Sequence, residues 1–266
     1  MLIPMQTSGD KPPLFLIHGN NGVMPFAGYM SRVFGPDQPV YAIHANGFDG
    51  GPPFETAEEM VQDYLSDIVA AAPEGPLIIG AQCWGTMVAL EIGSRLSAMG
   101  RMVGPLILMD PPRVPYGQGA GGVDEAMSQK LYRYVQGLLL KLAAVPYYEV
   151  PFDAQDPDEL HIATLAGVGS VTAMSRFAPK PYLGAVSLIL SADTAPPFFG
   201  PAGHWKGVLP NPPYVHVVPC GHVELWGSHR HEVARLVNFL LSEAFPQARQ
   251  PSQSRQSRVK EQSAAD

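Results

Sequence analysis

The sequence predicts an α/β fold in which helices flank a mostly parallel sheet. Up to Asp110, short and nearly continuous apolar runs alternate with stretches of helical periodicity. Such runs are typical of parallel strands, because helices cover both faces of the sheet that they form. The length of 266 residues and the hydrophobic content of 46% are sufficient for a well-buried core. We therefore expect one folded domain over residues 1–246.

Four strands are predicted in the N-terminal half, and each ends at a loop or a polar residue. They cover residues 14–18, 40–43, 77–81 and 106–109. The helix between the second and third strands begins at Thr56, which forms a capping box with Glu59. A further helix over 86–98 follows the third strand. This order of strands and helices predicts parallel pairing.

After Asp110 the alternation stops and a helical segment follows. Residues 111–122 are rich in proline and glycine and predict a loop. Amphipathic patterns near 127–142 and 156–177 predict two helices. We expect the segment of about 113–180 to form a lid inserted between two strands. Its apolar stripe either only packs on the core or also lines an acyl channel.

The sheet resumes in the C-terminal third of the sequence. Strands are predicted over 186–190 and 214–218, and a closing helix over 228–245. Residues 247–266 consist largely of serine, glutamine and charged residues, with too few apolar side chains to build a packed structure. They predict a disordered tail.

Composition and charge exclude several classes of protein. The formal net charge of −7 argues against a general nucleic-acid binder, and two cysteines are too few for a disulfide scaffold. Neither a signal peptide nor an apolar run of membrane-spanning length is visible. His229 and His231 have metal-ligand spacing but lack further ligands nearby. We expect a cytoplasmic protein with no metal, no bound cofactor and no nucleic-acid or membrane partner.

The segment around Cys83 has the layout of a nucleophile elbow, a sharp strand-to-helix turn that exposes one reactive side chain. Such a turn is strained and brings backbones close together, so small residues are needed two positions before and after the nucleophile. Ala81 and Gly85 occupy those positions. The alternative is a buried thiol in a core strand, since free cysteine is among the most buried residue types.

Nucleophilic catalysis also needs a base and an acid that orients the base. His222 follows the last predicted strand, as the histidine does in the chain order of the α/β-hydrolase fold. Two acids are available, because Asp110 ends the strand after the elbow and Asp193 ends the next strand. The commoner arrangement uses the later position, and either aspartate could instead cap a turn. The residues alone do not decide between Asp110 and Asp193 as the acid.

The oxyanion of the reaction needs two backbone N–H donors. The first is expected from Trp84, the residue after the nucleophile. The second is expected from the loop after the first predicted strand, at Asn20 or Asn21. A simple turn of glycine and asparagine is the alternative interpretation of that loop.

Several segments resemble the thioesterase domains that end nonribosomal peptide and polyketide assembly lines, within the α/β-hydrolase superfamily. The resemblance covers about residues 2–245. The matching segments lie at 12–18, 35–42, 58–60 with Tyr64, 87–92, 106–110 and 221–222. The Gly-Pro-Asp-Gln-Pro-Val-Tyr segment at 35–41 is the most specific, because no general hydrolase chemistry requires it. The resemblance implies a helical lid and Asp110 as the catalytic acid. It also implies acyl or peptidyl substrates, held as thioesters on the phosphopantetheine of a carrier protein.

Two features depart from that family. Ala81 and Cys83 stand where glycine and serine are usual, and the sequence carries no adjacent carrier segment, which indicates a free-standing or excised domain. A cysteine paired with histidine can be a thiolate at neutral pH, and its acyl thioester stays activated. We therefore expect an acyl-cysteine intermediate that is resolved by hydrolysis or by transfer, including cyclisation.

Two other functions remain open. One is a small-molecule α/β hydrolase with a Cys-His-Asp triad, similar to the dienelactone hydrolases, which would use Asp193. The other is a non-catalytic relative that binds a ligand or a partner.

Overall fold

A seven-stranded sheet with helices on both faces forms the body of the protein, in a computed structural model that describes residues 1–112, 125–195 and 204–245. The strands are β1 Leu2–Gln6, β2 Leu14–Ile17, β3 Val40–Ile43, β4 Ile78–Gln82, β5 Leu106–Met109, β6 Val186–Ser191 and β7 Tyr214–Val218. The helices are α1 Ala27–Phe34, α2 Ala57–Ala71, α3 Gly85–Ala98, α4 Glu125–Ala143, α5 Pro157–Ser175 and α6 Arg230–Ala244, with a 3₁₀ turn at His204–Gly207.

The sheet is mostly parallel, which confirms the predicted α/β class. The strand order is β1-β3-β2-β4-β5-β6-β7, and among these pairs only β1 with β3 is antiparallel. Ile17 pairs with Ala81 and Gln82 pairs with Met109, so the ends of β2, β4 and β5 lie side by side. Residues that follow these strands therefore meet at one edge, where open α/β sheets bind their ligands.

Two hydrophobic layers cover the sheet. One layer joins α2 and α3 to one face through residues such as Ile79, Ala81 and Leu108. The other joins α1 and α6 to the opposite face through residues such as Ile78 and Met109. Both faces of the central strands are buried, which is the physical reason for their nearly continuous apolar sequences.

The capping box predicted at the start of α2 is present. The Glu59 N–H donates to Thr56 Oγ1 at 3.2 Å, and the Thr56 N–H donates to Glu59 Oε2 at 3.2 Å. These reciprocal bonds satisfy donors that the first turn of a helix leaves without partners. Helix α2, which these bonds begin, carries Tyr64, and the Tyr64 hydroxyl hydrogen-bonds with His18.

Two elements were not predicted from the sequence. Strand β1 is a partly exposed edge strand that contains Pro4, so its burial pattern shows no clear alternation. Helix α1 has eight residues, and its first turn has no side-chain cap. Strand β1 lacks a clear signal in the sequence. The buried residues of α1, such as Ala27, Met30 and Phe34, do recur at helical spacing, but eight residues without a cap form a stable helix only when they pack on the sheet.

Helices α4 and α5 lie between β5 and β6 in the chain, as the expected lid requires. A small cluster of Val23, Val135, Leu139 and Ala163 packs these helices against the loop after β2. The predicted loop at 113–124 and the predicted tail at 247–266 lie outside the described residues, so the lid bounds and the disordered tail stay predictions. Within the described ranges, no helix is long and apolar enough to cross a membrane.

Candidate active site

Cys83 occupies a strained turn between β4 and α3. Its φ angle of 47° lies in the left-handed region, which non-glycine residues seldom adopt. The Cys83 N–H donates to the carbonyl of Met109 at 2.9 Å. The Cys83 carbonyl accepts from the N–H of Thr86 at 3.2 Å and from its hydroxyl at 2.6 Å. These bonds hold the strained residue in place, as is common where strain serves a functional site.

Position 85 has to be glycine because the backbone that follows β2 passes directly against it. A Cβ at this position would overlap the carbonyl oxygen of His18, which follows β2. The sequence predicts a small residue here because the turn brings backbones close together. The structure identifies the backbone that Gly85 meets as that of His18, so the elbow and the loop after β2 lie directly against each other.

Replacing Gly85 with alanine is expected to destabilise the fold by about 3 kcal/mol or more, because a backbone carbonyl cannot move aside as a flexible side chain can. Gly137→Ala provides the matched control. Its Cβ would meet no atom within 4 Å inside helix α4, and alanine there should stabilise the helix by about 0.5–1 kcal/mol. Urea unfolding of both variants measures the difference. A Gly85→Ala midpoint equal to that of the wild type would contradict the close approach.

His222 lies between the thiol and a carboxylate. Its Nδ1 hydrogen-bonds with Asp110 Oδ2, and the Cys83 thiol lies close enough to its side chain to raise its pKa. The bond with Asp110, followed by the interaction with the Cys83 thiol, raises the pKa of His222 to about 10. The imidazole side chain is 45% exposed, so the site is open to solvent on one side. Cys83, His222 and Asp110 therefore form one connected constellation.

Asp110 is held as a carboxylate in a buried position. Its Oδ1 accepts the Ser191 N–H at 2.7 Å, and its Oδ2 accepts the Ser191 hydroxyl at 2.9 Å. Burial raises the pKa of Asp110, but the hydrogen bonds from His222 and Ser191 more than offset it, so this pKa lies below its usual value. Its φ of 48° is another strained backbone conformation at this edge.

Asp193, the alternative acid, lies close to the histidine loop but in a different place. A Cβ on Gly221 would be 2.9 Å from Asp193 Oδ2. The Nδ1 of His222 is already bonded to Asp110. Asp110 is therefore the aspartate that contacts His222, and Asp193 flanks the loop that carries the histidine.

The expected oxyanion donors lie at the same edge. Trp84 is the N-cap of α3, and its N–H has no acceptor within the described part of the chain. The same holds for the N–H groups of Asn20 and Asn21 among the residues described. The Asn21 side chain is used within the loop, because its Oδ1 accepts the Val23 N–H at 3.2 Å.

Sequence reasoning missed three residues that support the constellation. Ser191 ends β6 and binds Asp110, and its hydroxyl also lies 3.1 Å from that of Thr194. Glu224 Oε2 accepts the N–H of Gly221 at 2.8 Å and so anchors the loop that carries His222. A polar residue at the end of a buried strand is the one signal that could have indicated Ser191.

The second cysteine is a buried thiol two residues before His222 in the sequence. Cys220 is buried, and burial raises the pKa of its thiol to about 11. Both cysteines are free thiols. In the described ranges, no group of three histidine, cysteine, aspartate or glutamate residues is arranged to hold a metal ion.

Comparison with known proteins gives one family match and several relatives. A family model described as "Thioesterase domain" matches residues 12–240. An atromentin synthetase of Tapinella panuoides is 35% identical over 115 residues, which are 42% of this chain and 12% of that protein. An inactive atromentin synthetase of Paxillus involutus is 33% identical over 125 residues, which are 46% of this chain and 13% of that protein. The chain thus spans about an eighth of the length of these relatives.

Solved structures share the fold. The NocB thioesterase domain, in covalent complex with a fluorophosphonate nocardicin G analogue, superposes with a TM-score of 0.68 at 22% identity. The match covers 91% of this chain and 99% of that domain. At this level of identity the likeness concerns the fold alone.

Proposed function

Since the chain belongs to the thioesterase domain family, we propose that it releases an acyl or peptidyl chain from a phosphopantetheinyl carrier through an acyl-Cys83 intermediate. The observation that carries this proposal is that the Nδ1 of His222 hydrogen-bonds with Asp110 while the Cys83 thiol lies beside the same imidazole. Base and orienting acid around a thiol are the arrangement that nucleophilic acyl transfer requires.

The first step forms the acyl-enzyme. Because the raised pKa of His222 favours its protonated form, the proton of the Cys83 thiol passes to the imidazole, and the sulfur attacks the carbonyl carbon of the carrier-bound thioester. The oxyanion that develops on the carbonyl oxygen takes hydrogen bonds from the Trp84 N–H and from the loop after β2. When the tetrahedral intermediate collapses, the bond to the pantetheine sulfur breaks. The protonated His222 returns its proton to that sulfur.

The second step releases the chain. Water, or an amine or hydroxyl of the bound chain, loses its proton to His222 and attacks the acyl-Cys83 carbonyl. Exchange of one thioester for another involves little change in free energy, so the acyl group stays activated for this step. A serine would instead hold the chain as a more stable oxygen ester. A thiol at the elbow therefore favours transfer or ring closure in addition to hydrolysis.

The proposal that a carrier delivers the substrate has its own support, separate from that for catalysis. The matched relatives are synthetases several times longer than this chain, and this length supports a domain that works beside a carrier. One relative is described as inactive, so family membership alone does not decide activity. The support for catalysis here comes from Cys83, His222 and Asp110 lying together at one edge of the sheet.

Intact-mass spectrometry across a panel of acyl-pantetheine thioesters tests the proposal. We expect a mass increase equal to the acyl group, together with release of free pantetheine thiol. Product analysis then separates hydrolysis from transfer, because chains with an internal amine or hydroxyl should yield cyclic products besides free acid. The absence of any acyl adduct and of any thiol release over the whole panel would contradict the proposed activity.

A further inference from the structure

His18 lies at the centre of a buried hydrogen-bonded relay beside the elbow. The residue follows β2, and its side chain is fully buried. Its Nδ1 is 2.6 Å from the carbonyl oxygen of Gly19, and its Nε2 is 2.5 Å from the hydroxyl of Tyr64 on α2. Tyr64 is fully buried as well. The catalytic steps described above do not use either side chain.

The chemistry of the partners determines the direction of this relay. The Gly19 carbonyl can only accept a hydrogen bond, so Nδ1 of His18 must carry the proton. Burial lowers the pKa of His18 to about 4, so the ring is neutral at pH 7 and its Nε2 is an acceptor. The Tyr64 hydroxyl, whose pKa burial raises, therefore donates to Nε2. The relay runs from Tyr64 through His18 to the Gly19 carbonyl.

A bond to the Gly19 carbonyl also orients the Asn20 N–H. Both groups belong to the same planar peptide unit, and in a trans peptide they point in opposite directions. Within the described residues all peptide bonds are trans. With its carbonyl held by His18, this unit directs the Asn20 N–H away from the imidazole. That N–H has no acceptor in the described part of the chain.

Further contacts keep this peptide next to the nucleophile. The Gly22 N–H also donates to the Gly19 carbonyl, at 3.3 Å. A Cβ on Gly19 would lie 2.7 Å from Nε2 of Gln82, the residue before Cys83. The carbonyl of His18 itself lies against Gly85, two residues after Cys83. The relay and the elbow are therefore in direct contact on two sides.

We infer that His18, held by Tyr64, is a positioning residue that aims the Asn20 N–H at the oxyanion of acyl transfer. The inference rests on the proposed function and deepens it, because it selects Asn20 over Asn21 as the second donor. His18 touches neither the substrate nor Cys83, and acts only through the orientation of the Gly19–Asn20 peptide.

Two reactions of the same thiol distinguish this role from a merely structural one. Acylation by an acyl-pantetheine thioester passes through an oxyanion, so its rate depends on the donors. Alkylation by iodoacetamide is a displacement at a saturated carbon and develops no oxyanion. A positioning residue should change the first rate and leave the second unchanged. Damage to the fold, to Cys83 or to His222 should lower both rates.

The variants are His18→Leu, His18→Asn and Tyr64→Phe. His18→Leu removes the donor to Gly19 and is expected to lower acylation about 100-fold, as loss of one oxyanion donor does. His18→Asn keeps an amide N–H close to the position of Nδ1 and should recover most of that loss. Tyr64→Phe deletes one oxygen from the relay and should lower acylation about five-fold. Alkylation of Cys83 is expected at the wild-type rate in all three.

The outcomes separate the inference from the proposed function. Wild-type acylation in folded His18→Leu and Tyr64→Phe would overturn the positioning role and leave the proposed function intact. Acylation and alkylation that fall by the same factor would also overturn it. If His18→Leu does not fold, Tyr64→Phe decides by the same comparison of acylation with alkylation. A wild-type enzyme that forms no acyl adduct would instead contradict the proposed function itself.

Discussion

Cys83→Ala is expected to abolish acyl-enzyme formation and to lower turnover of acyl-pantetheine thioesters by about 10⁴-fold or more. The reason is that His222 lies beside this thiol and hydrogen-bonds to Asp110, so removal of the sulfur leaves a base and an acid with no nucleophile. Intact-mass spectrometry detects the adduct, and release of pantetheine thiol measures turnover. Oxyanion donors and substrate binding account for any residual rate.

Cys220→Ala is the matched control for this variant. Cys220 is buried, is a free thiol and lies two residues before His222, so it tests whether any cysteine near the histidine loop suffices. We expect acylation of Cys220→Ala within a few-fold of wild type. An acyl adduct on Cys83→Ala at the wild-type rate would show that the elbow thiol is not the nucleophile. Loss of the adduct in Cys220→Ala alone would move the nucleophile to Cys220.

Asp110→Asn is expected to have the second largest effect, a loss of about 10⁴-fold in turnover. The buried carboxylate bonds to Nδ1 of His222 and so selects the tautomer whose Nε2 can accept a proton. An amide of the same shape removes the negative charge and can present a donor to Nδ1. Without the carboxylate, the imidazolium that forms on His222 loses the negative charge that stabilises it. Steady-state kinetics with an acyl-pantetheine thioester provides the measurement.

Asp193→Asn is the control, because Asp193 also follows a strand and lies beside the histidine loop. Its turnover should stay within a few-fold of wild type. The reverse ranking, with Asp193→Asn inactive and Asp110→Asn active, would favour the small-molecule hydrolase similar to dienelactone hydrolases. Wild-type activity in both variants would argue against a triad. A Cys83 thiol inert to alkylation at neutral pH would favour a non-catalytic binding protein.

Much of the fold could be predicted from local patterns. The buried strands β2, β3, β4 and β5 are nearly continuous apolar runs, and such a run is visible without knowledge of its partners. The capping box of α2 was predictable for the same reason, because Thr56 and Glu59 are three residues apart. Strand β1 and helix α1 were not, since contacts with the rest of the sheet stabilise them.

For the candidate site, too, some features could be predicted from the sequence and others could not. Chain order and turn chemistry placed Cys83 at the elbow, His222 after the last strand, and an aspartate at the end of a strand. These are properties of each segment taken alone. Whether Cys83 is a nucleophile stays a prediction, and the acyl-adduct experiment tests it.

The sequence by itself determined the class of the fold, the position of the elbow and the short list of partners for its thiol. The resemblance in sequence favoured Asp110, and only the tertiary structure showed that Asp110 meets His222, across 112 positions of sequence. It also decided that Ser191 holds Asp110, that His18 lies against Gly85, and that Tyr64 bonds to His18. The physical reason is that strand and turn propensities depend on neighbours in the chain. Contacts between strand ends depend instead on sheet order and register, which no single segment encodes.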